Sequence, residues 1–446
     1  MKKISVCLAV LLVAFLMGGT VWALDGTDHV KVAPNGKGDL LIFPWYFAMS
    51  GGYNTKISVI NTSKDYSVVA KVVYRSYAWS VEVLDHMIYL SPNDVWTGTL
   101  VYENDTAVLK CSDDSMLGQP VSVGLATADD FADKKPVSQN LFNPVTAFGC
   151  LDDSNQIGYV EVIEAAAFPI TETQIAYAGG KVAKKDIYNY YHSSKVTDDT
   201  IVNSYFPINV LTGYQENFIG TGQTLKRAAV FADYRAIKKA AIGSNSKLGV
   251  NAANSLAEVE AAMSKFDVSL PYVARANGDN TMHIFNFPTK LSAESSVKCE
   301  RPSYKAYYAS PYWNAVYYMC DTYTRNTYDL MENTPAQSGT IFSPIVPSGQ
   351  STMCEEVHFN FLNYTAASAA YTEGWVRYNW GQSSTTKSGY EASGLPISYT
   401  GTPVLPSAVY WTDSGFNWAE ADAAFTNGTV IERGVLLLNY YQYSDL

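Results

Sequence analysis

Gly38-Asp-Leu-Leu-Ile-Phe-Pro-Trp-Tyr-Phe47 opens the stretch whose reading decides the fold class, and three runs of the same kind follow it. They are Thr55-Lys-Ile-Ser-Val-Ile-Asn-Thr-Ser63, Val68-Val-Ala-Lys-Val-Val-Tyr-Arg-Ser-Tyr77 and Leu84-Asp-His-Met-Ile-Tyr-Leu-Ser-Pro-Asn-Asp-Val-Trp96. Ile57 and Val59 alternate with Lys56 and Ser58, while Val68, Ala70, Val72 and Tyr74 lie opposite Lys71 and Arg75. Successive side chains of a strand point to opposite faces, so this period-2 pattern predicts half-buried antiparallel strands. Ser50-Gly51-Gly52, Asn61 to Asp65 and Ser91-Pro92-Asn93-Asp94 supply turn chemistry between them, with Pro92 pre-set for the second turn position. The stretch builds sheets and marks no site.

Toward the N-terminus, Met1-Lys2-Lys3 precedes an apolar run from Ile4 to Val21, and Val21-Trp22-Ala23 offers small residues for a cleavage site. This is the pattern of a secretory signal peptide, residues 1–23, followed by a mostly polar arm, residues 24–38. Cys7 leaves with the leader. No later stretch approaches about 18 uninterrupted apolar residues, so no transmembrane helix is expected in the mature chain. The expected location is outside the cytoplasm: extracellular, on the cell surface, or periplasmic. Val30-Lys31-Val32 in the arm is expected to pair with an exposed sheet edge of a neighbouring subunit.

Only 16% of the 446 residues are charged, against 47% hydrophobic and 33 tyrosines, a composition found in extracellular β-proteins. Loss of Lys2 and Lys3 with the leader leaves 29 basic residues against 42 acidic, a net charge of about −13. Nucleic-acid binding is disfavoured, because phosphate contacts need a basic stripe. Five cysteines remain, Cys111, Cys150, Cys299, Cys320 and Cys354, and in an oxidising compartment disulfides are the default. Cys111-Ser-Asp-Asp-Ser and Cys150-Leu-Asp-Asp-Ser flank a polar insert and are expected to pair. Cys299 with Cys320 is the next pairing, with Cys354 unassigned and its exchange for either open.

The rest reads as more strands with loop inserts. Residues 39–170 form a first β-rich part with the insert 111–150, and 171–446 a second. Residues 171–203 are expected to hold a short helix or an excursion from the sheet. Ser255-Leu-Ala-Glu258 is a capping box, and Leu256, Val259, Met263 and Phe266 form the stripe of a helix near 255–266. Many short strands with long inserts predict a mainly β chain: an antiparallel β-sandwich, Ig-like or jelly-roll-like, as one sandwich or two packed ones.

The runs Leu40-Leu-Ile-Phe-Pro-Trp-Tyr46, Thr55 to Ser63, Leu84 to Trp96, Gly158-Tyr-Val-Glu-Val-Ile-Glu164, Phe285-Asn-Phe-Pro-Thr-Lys290, Gly374-Trp-Val-Arg377 and Gly394-Leu-Pro396 occur in this order. Together they resemble a family of secreted, uncharacterised proteins of Gram-negative bacteria, over most of the mature chain except about 171–250. The resemblance implies secretion and one extended β architecture, and it carries over no catalytic, cofactor or metal residue.

His29, His86, His192, His283 and His358 are scattered, with no zinc-protease, haem-attachment, nucleophile-elbow or nucleotide motif anywhere in the chain. Three carboxylate groups remain as acid/base candidates for glycan hydrolysis: Glu161 with Glu164, Asp85, and Glu355-Glu356. Strand-alternating and adjacent glutamates commonly lie on solvated faces, which is the expectation for these. Asp113-Asp114, Asp129-Asp130 and Asp152-Asp153 could hold Ca²⁺ but lack the Asp-x-Asp-x-Asp-Gly frame, which favours solvated loops. Trp45, Trp79, Trp96, Trp313, Trp375 and Trp380 are the candidates for sugar stacking, weighed against a role as core anchors. The leading expectation is an exported, non-enzymatic structural or adhesive β-sandwich protein of the cell surface, acting through assembly into a layer or filament or through adhesion, needing no cofactor, with itself or surface glycans as partner. Glycan binding or hydrolysis is the first alternative and an outer-membrane barrel the second, against which Pro44, the helix and the cysteines argue.

Overall fold

The computed structural model describes residues 30–77, 80–115, 137–141, 144, 154–179, 181–219, 222–235, 252–276, 280–289, 321–330, 351–353, 356–362, 372–380, 387–390, 396–399 and 401–411. The expected signal peptide (residues 1–23), Trp79, Trp313, Cys150, Cys299, Cys320, Cys354, Glu355, Asp129-Asp130 and Asp152-Asp153 lie outside the described residues. From the N-terminus the strands are β1 (Lys31–Val32), β2 (Leu40–Phe47), β3 (Asn54–Asn61), β4 (Tyr66–Ser76), β5 (Glu82–Leu90) and β6 (Val95–Glu103). Then come β7 (Thr106–Cys111), β8 (Val137–Asn140), β9 (Ile157–Pro169), β10 (Leu211–Ile219), β11 (Gly222–Arg227) and β12 (Ala229–Ala232). Helices α1 (Lys184–Tyr191) and α2 (Asp198–Ser204) precede β10, and α3 (Ala252–Met263) follows β12. The remaining strands are β13 (Ser264–Lys265), β14 (Asp267–Val273), β15 (Asn280–Asn286), β16 (Asp321–Asp329), β17 (Ser351–Met353), β18 (Val357–Leu362) and β19 (Glu373–Asn379). Last come β20 (Lys387–Tyr390), β21 (Pro396–Tyr399), β22 (Thr402–Pro403) and β23 (Leu405–Trp411).

Sheet I has the order β1-β12-β2-β9-β4-β5 and sheet II the order β11-β10-β3-β6-β7-β8. Sheet III is β18-β15-β23 and sheet IV is β14-β19-β16-β17, with two-stranded ribbons β13-β22 and β20-β21 besides. All the pairings are antiparallel. The chain is therefore mainly β, as the alternation predicts. Both six-stranded sheets are open, so the described strands form no barrel. No described helix is long and apolar enough to cross a membrane.

Packing explains which strands alternate and which do not. Leu41, Phe43, Val72, Ile88 and Val162 of sheet I interdigitate with Ile57, Val59, Trp96, Leu100 and Leu109 of sheet II, a sandwich core. The opposite face of sheet I is covered too. Leu40, Ile42, Phe47 and Ile163 pack there against Ile187 of α1, Ile201 of α2, Val259 of α3, and Ile284 and Phe359 of sheet III. Hence every residue of β2 is buried and β9 is buried along nearly its whole length. Sheet III turns its second face, through Phe285 and Leu362, to Tyr323, Val376 and Tyr378 of sheet IV. The order of layers is II, I, III, IV: two sandwiches stacked face to face. Strands of the first come from Lys31 to Ala232, so β10, β11 and β12, beyond the expected division at 170, complete it.

Pro44 sits within β2, and the register against β9 shifts between Phe43 and Tyr46. A bulge frees backbone groups that must find partners when buried. Sheet II supplies them: the Thr55 hydroxyl accepts from the Phe47 N–H at 2.9 Å, and Gln215 Nε2 donates to the Trp45 carbonyl at 2.9 Å.

Three expectations are corrected. Lys31 and Val32 pair with Ala232 and Phe231 of the same chain, so the arm adds the edge strand of its own sheet. The helix runs from Ala252 to Met263, so Ser255 lies inside it and is no cap. Glu258, read as the cap partner, is buried and accepts the Val30 N–H at 2.7 Å, tying α3 to the arm. Phe266 falls beyond the helix and is 44% exposed, because the chain leaves at Ser264 to pair with β22. Finally, the insert returns Val137–Asn140 to the edge of β7 as β8. The stretch 171–203 yields two helices, the second capped by Thr197 and Thr200.

Gly158 shows how tightly β9 is seated: a Cβ there would lie 1.7 Å from the Arg75 carbonyl oxygen. Gly158→Ala is expected to destabilise the protein by about 1–3 kcal/mol or more through forced separation of β4 and β9. Chemical denaturation, read as a lowered midpoint at unchanged slope, checks it.

Candidate functional site

Of the carboxylates read from the sequence as acid/base candidates, the described ones are buried or ion-paired: Glu161, Glu164 and Glu356 are buried, and Asp85 pairs with Lys71. Glu161 is fully buried on the face of sheet I turned toward sheet III, and Arg75 Nε donates to its Oε2 at 2.8 Å. The reason is register: Val73 faces Glu161 across β4 and β9, which sets Arg75 beside it on the same side. Arg75 also lies 3.9 Å from Glu82, and Lys71 reaches Asp85 at 2.8 Å, so β4 carries a row of cations matched by β5 and β9. Burial opposes the Arg75 charge, but Glu161 outweighs it and holds the guanidinium firmly protonated. Burial pushes the Glu82 carboxyl up, against the pull of Arg75 and Lys71. Tyr159 donates to Ser80 Oγ at 2.8 Å and lies 3.3 Å from the Pro288 carbonyl, joining this row to the end of β15. Glu164 is fully buried as well, and so is Glu356.

Of the aspartate pairs only Asp113-Asp114 is described, and Asp114 is exposed. Asp113 accepts from Lys184 Nζ at 2.7 Å, and Lys184 also pairs with Asp94, so this loop carboxylate has a lysine where a cation was considered. Among the described residues no group of three or more His, Cys, Asp and Glu could hold a metal ion. Cys111 is a free, buried thiol whose Sγ lies 3.3 Å from the Thr97 carbonyl, and the residue expected to pair with it, Cys150, lies outside the described residues. Burial pushes that thiol up to about 12. His86 packs against Trp96 with the rings tilted by 45°, and meets the Tyr74 hydroxyl at 3.3 Å. His283 lies 2.8 Å from the Tyr378 hydroxyl and 2.9 Å from the Pro271 carbonyl, so a neutral ring links sheets III and IV. Burial pushes both histidines down to about 4.

Trp45 and Trp96 are core anchors and Trp380 is buried. Trp375 differs. In β19 the buried residues Gly374, Val376 and Tyr378 alternate with half-buried Glu373, Trp375, Arg377 and Asn379, which lie on the face of sheet IV turned away from sheet III. Register then builds rows across this face. Pro271, Trp375 and Tyr328 form one, and Ser269, Arg377 and Asn326 the next. Asp267, Asn379 and Thr324 form the third. Three strands about 4.8 Å apart make a platform about 10 Å wide. Trp375 and Tyr328 stack at 4.0 Å with 17° between their planes. Asp267 accepts from Arg377 Nε at 2.9 Å, and Glu373 pairs with Arg275, which fixes both guanidinium groups over the sheet. With their inner faces closed on each other, the two rings offer an outer face and their edges to an apolar ligand surface, with hydrogen-bonding groups at the rim.

Of this group the sequence reading singled out only Trp375. Pro271, Tyr328, Asn326 and Arg377 were missed, although the alternation Glu373-x-Trp375-x-Arg377-x-Asn379 already marked a polar-aromatic face. No protein-family model, curated relative or solved structure matches the chain.

Glu161→Gln, which leaves Arg75 buried without its counter-charge, is expected to cost about 3–5 kcal/mol, whereas the pair Arg75→Met and Glu161→Leu together recovers most of that loss. Thermal unfolding of the wild type and the two variants decides it. His283 generates a pH effect. Its folded value of about 4 lies below the ordinary 6.5, so the folded state binds fewer protons between these limits. The stabilisation is present above pH 6.5 and lost as pH falls through about 4; urea titrations at pH 7 and 4.5 are expected to lose this difference in His283→Gln.

Proposed function

We propose that the protein is an exported, non-enzymatic, adhesive β-sandwich protein of the cell surface, with the outer face of sheet IV as its contact surface and surface glycans as its partner. The observation that carries this reading is the row Pro271, Trp375 and Tyr328. It is an aromatic strip held in register by three strands, on a face turned away from the rest of the stack. Sugar rings present axial C–H groups to aromatic faces, and their hydroxyls suit the flanking Arg377, Asn326 and Ser269. The leader-like N-terminus and the resemblance to secreted Gram-negative proteins support export. Among the described carboxylates considered for glycan hydrolysis, Glu161, Glu164 and Glu356 are buried and Asp85 is paired with Lys71, which favours binding over hydrolysis.

Fractionation of the native cells should place the chain on the surface or in the medium. On a glycan array the protein is expected to bind a restricted set of sugars. Trp375→Ala and Tyr328→Ala are each expected to weaken that binding by about tenfold, the loss of one stacking contact. A cytoplasmic location, an array without binding, or variants that bind like the wild type would each overturn the reading.

A further inference from the structure

We infer that the outer face of sheet IV takes an uncharged oligosaccharide lying along the strands, a step that rests on the glycan reading above and names the class of glycan. One sugar ring sits against the Trp375–Tyr328 pair, and hydroxyl groups on either side of it are held by two guanidinium–carboxylate pairs. Along β19 this face presents Glu373, Trp375, Arg377 and Asn379 in turn. The aromatic row therefore has a charged position two residues away on each side, about 7 Å along the strand. On one side Arg377 donates to Asp267 of β14 through Nε at 2.9 Å and through Nη2. On the other, Arg275, two residues beyond the end of β14, donates through Nη2 to Glu373. From Glu373 to Arg377 the strand covers about 13 Å, longer than one pyranose ring and matched by linked sugars.

The charges on this face cancel. Asp267 and Glu373 are matched by Arg377 and Arg275, and among the described residues every other position on this face of β14, β16 and β19 is uncharged. A ligand carboxylate or sulfate approaching Arg377 meets Asp267 at a similar distance. Attraction and repulsion then offset each other, while the cost of removing water from the anion remains. The chain as a whole carries −11, which repels anions further. A ligand cation meets the same cancellation at each pair.

What the pairs offer instead is directed hydrogen bonding. Both bonds from Arg377 go to the same oxygen, Asp267 Oδ2, which leaves Oδ1 to accept from a ligand and the Nη1 hydrogens of Arg377 to donate to one. Glu373 takes its bond on Oε2 and keeps Oε1 for a ligand. Two neighbouring hydroxyls of one sugar answer such a pair, one donating to the carboxylate and the other accepting from the guanidinium. A lone carboxylate or ammonium can satisfy only one half of it. The four side chains are 35–45% exposed, so a ligand reaches them without separating either pair. Each arginine is already held by its own carboxylate, which reduces the side-chain freedom lost on binding.

Calorimetric titration of the full chain tests this with neutral gluco-, manno- and galacto-oligosaccharides, from monosaccharide to tetrasaccharide, and with their uronate- and amine-bearing counterparts. A neutral series is expected to bind, with affinity rising about tenfold from monosaccharide to trisaccharide as the second pair is engaged. That affinity is expected to change less than about twofold between about 50 and 500 mM NaCl, because no net charge is left for salt to screen. The charged counterparts are expected to bind at least about tenfold more weakly. Asp267→Asn leaves Arg377 without its counter-charge at a half-exposed position. It is expected to weaken the neutral series and to admit the uronates with an affinity that falls as salt rises.

A wild type that prefers the charged sugars, or whose affinity falls about tenfold or more over that salt range, overturns the uncharged class. If that binding is still lost in Trp375→Ala, the glycan reading of the face stands. A monosaccharide bound as tightly as the trisaccharide overturns the placement along the strands, and so does an Asp267→Asn variant, folded by circular dichroism, that treats neutral and uronate sugars as the wild type does. Absence of binding to every series overturns both this inference and the glycan reading.

Discussion

Sheet I is covered on both of its faces, and the rest of the structure depends on that constraint. A sheet with one wet face can leave charges and irregular backbone to the solvent, whereas sheet I must satisfy them inside. Arg75 therefore has Glu161, Lys71 has Asp85, and the bulge at Pro44 has Thr55 and Gln215. The first sandwich needs only sheet II to bury one side of β2. The other side is buried by helices and by sheet III, which in turn needs sheet IV. A stack of four layers follows from a single strand with no solvent side.

Much of this could be read from the sequence, and the misreadings have a common physical cause. Period-2 alternation identified β3 through β6 because those strands alternate in composition. The continuous apolar runs Leu40–Phe47 and Ile157–Pro169 fit double coverage equally well, but a two-layer sandwich assigns one face of every strand to water. That assumption put Glu161 and Glu164 on a solvated face, although both lie on the interior strand β9. Val30 to Val32 likewise looked like a free arm because its partners, Phe231 and Ala232, are distant in sequence. Local pattern shows that a strand exists and which side chains share a face, but not which other strand covers that face.

The candidate face on sheet IV follows the same logic. The alternation in β19 made Trp375 a companion of Glu373, Arg377 and Asn379, while Trp45 lies in a run without polar companions. The difference between an anchor and a presented ring was thus legible within seven residues. The row it belongs to was not, since Pro271 and Tyr328 join it only through the pairing of β14 and β16 with β19.

Strand β2 is made early in the chain, yet its two neighbours in sheet I are residues 157–169 and 229–232. The first sheet cannot close until the chain through Ala232 is present, and Glu258 fastens the arm only after that. Non-local pairing of this kind is slow, because loop-closure entropy is lost before the contacts form. The topology itself thus keeps the N-terminal segment from folding ahead of the rest.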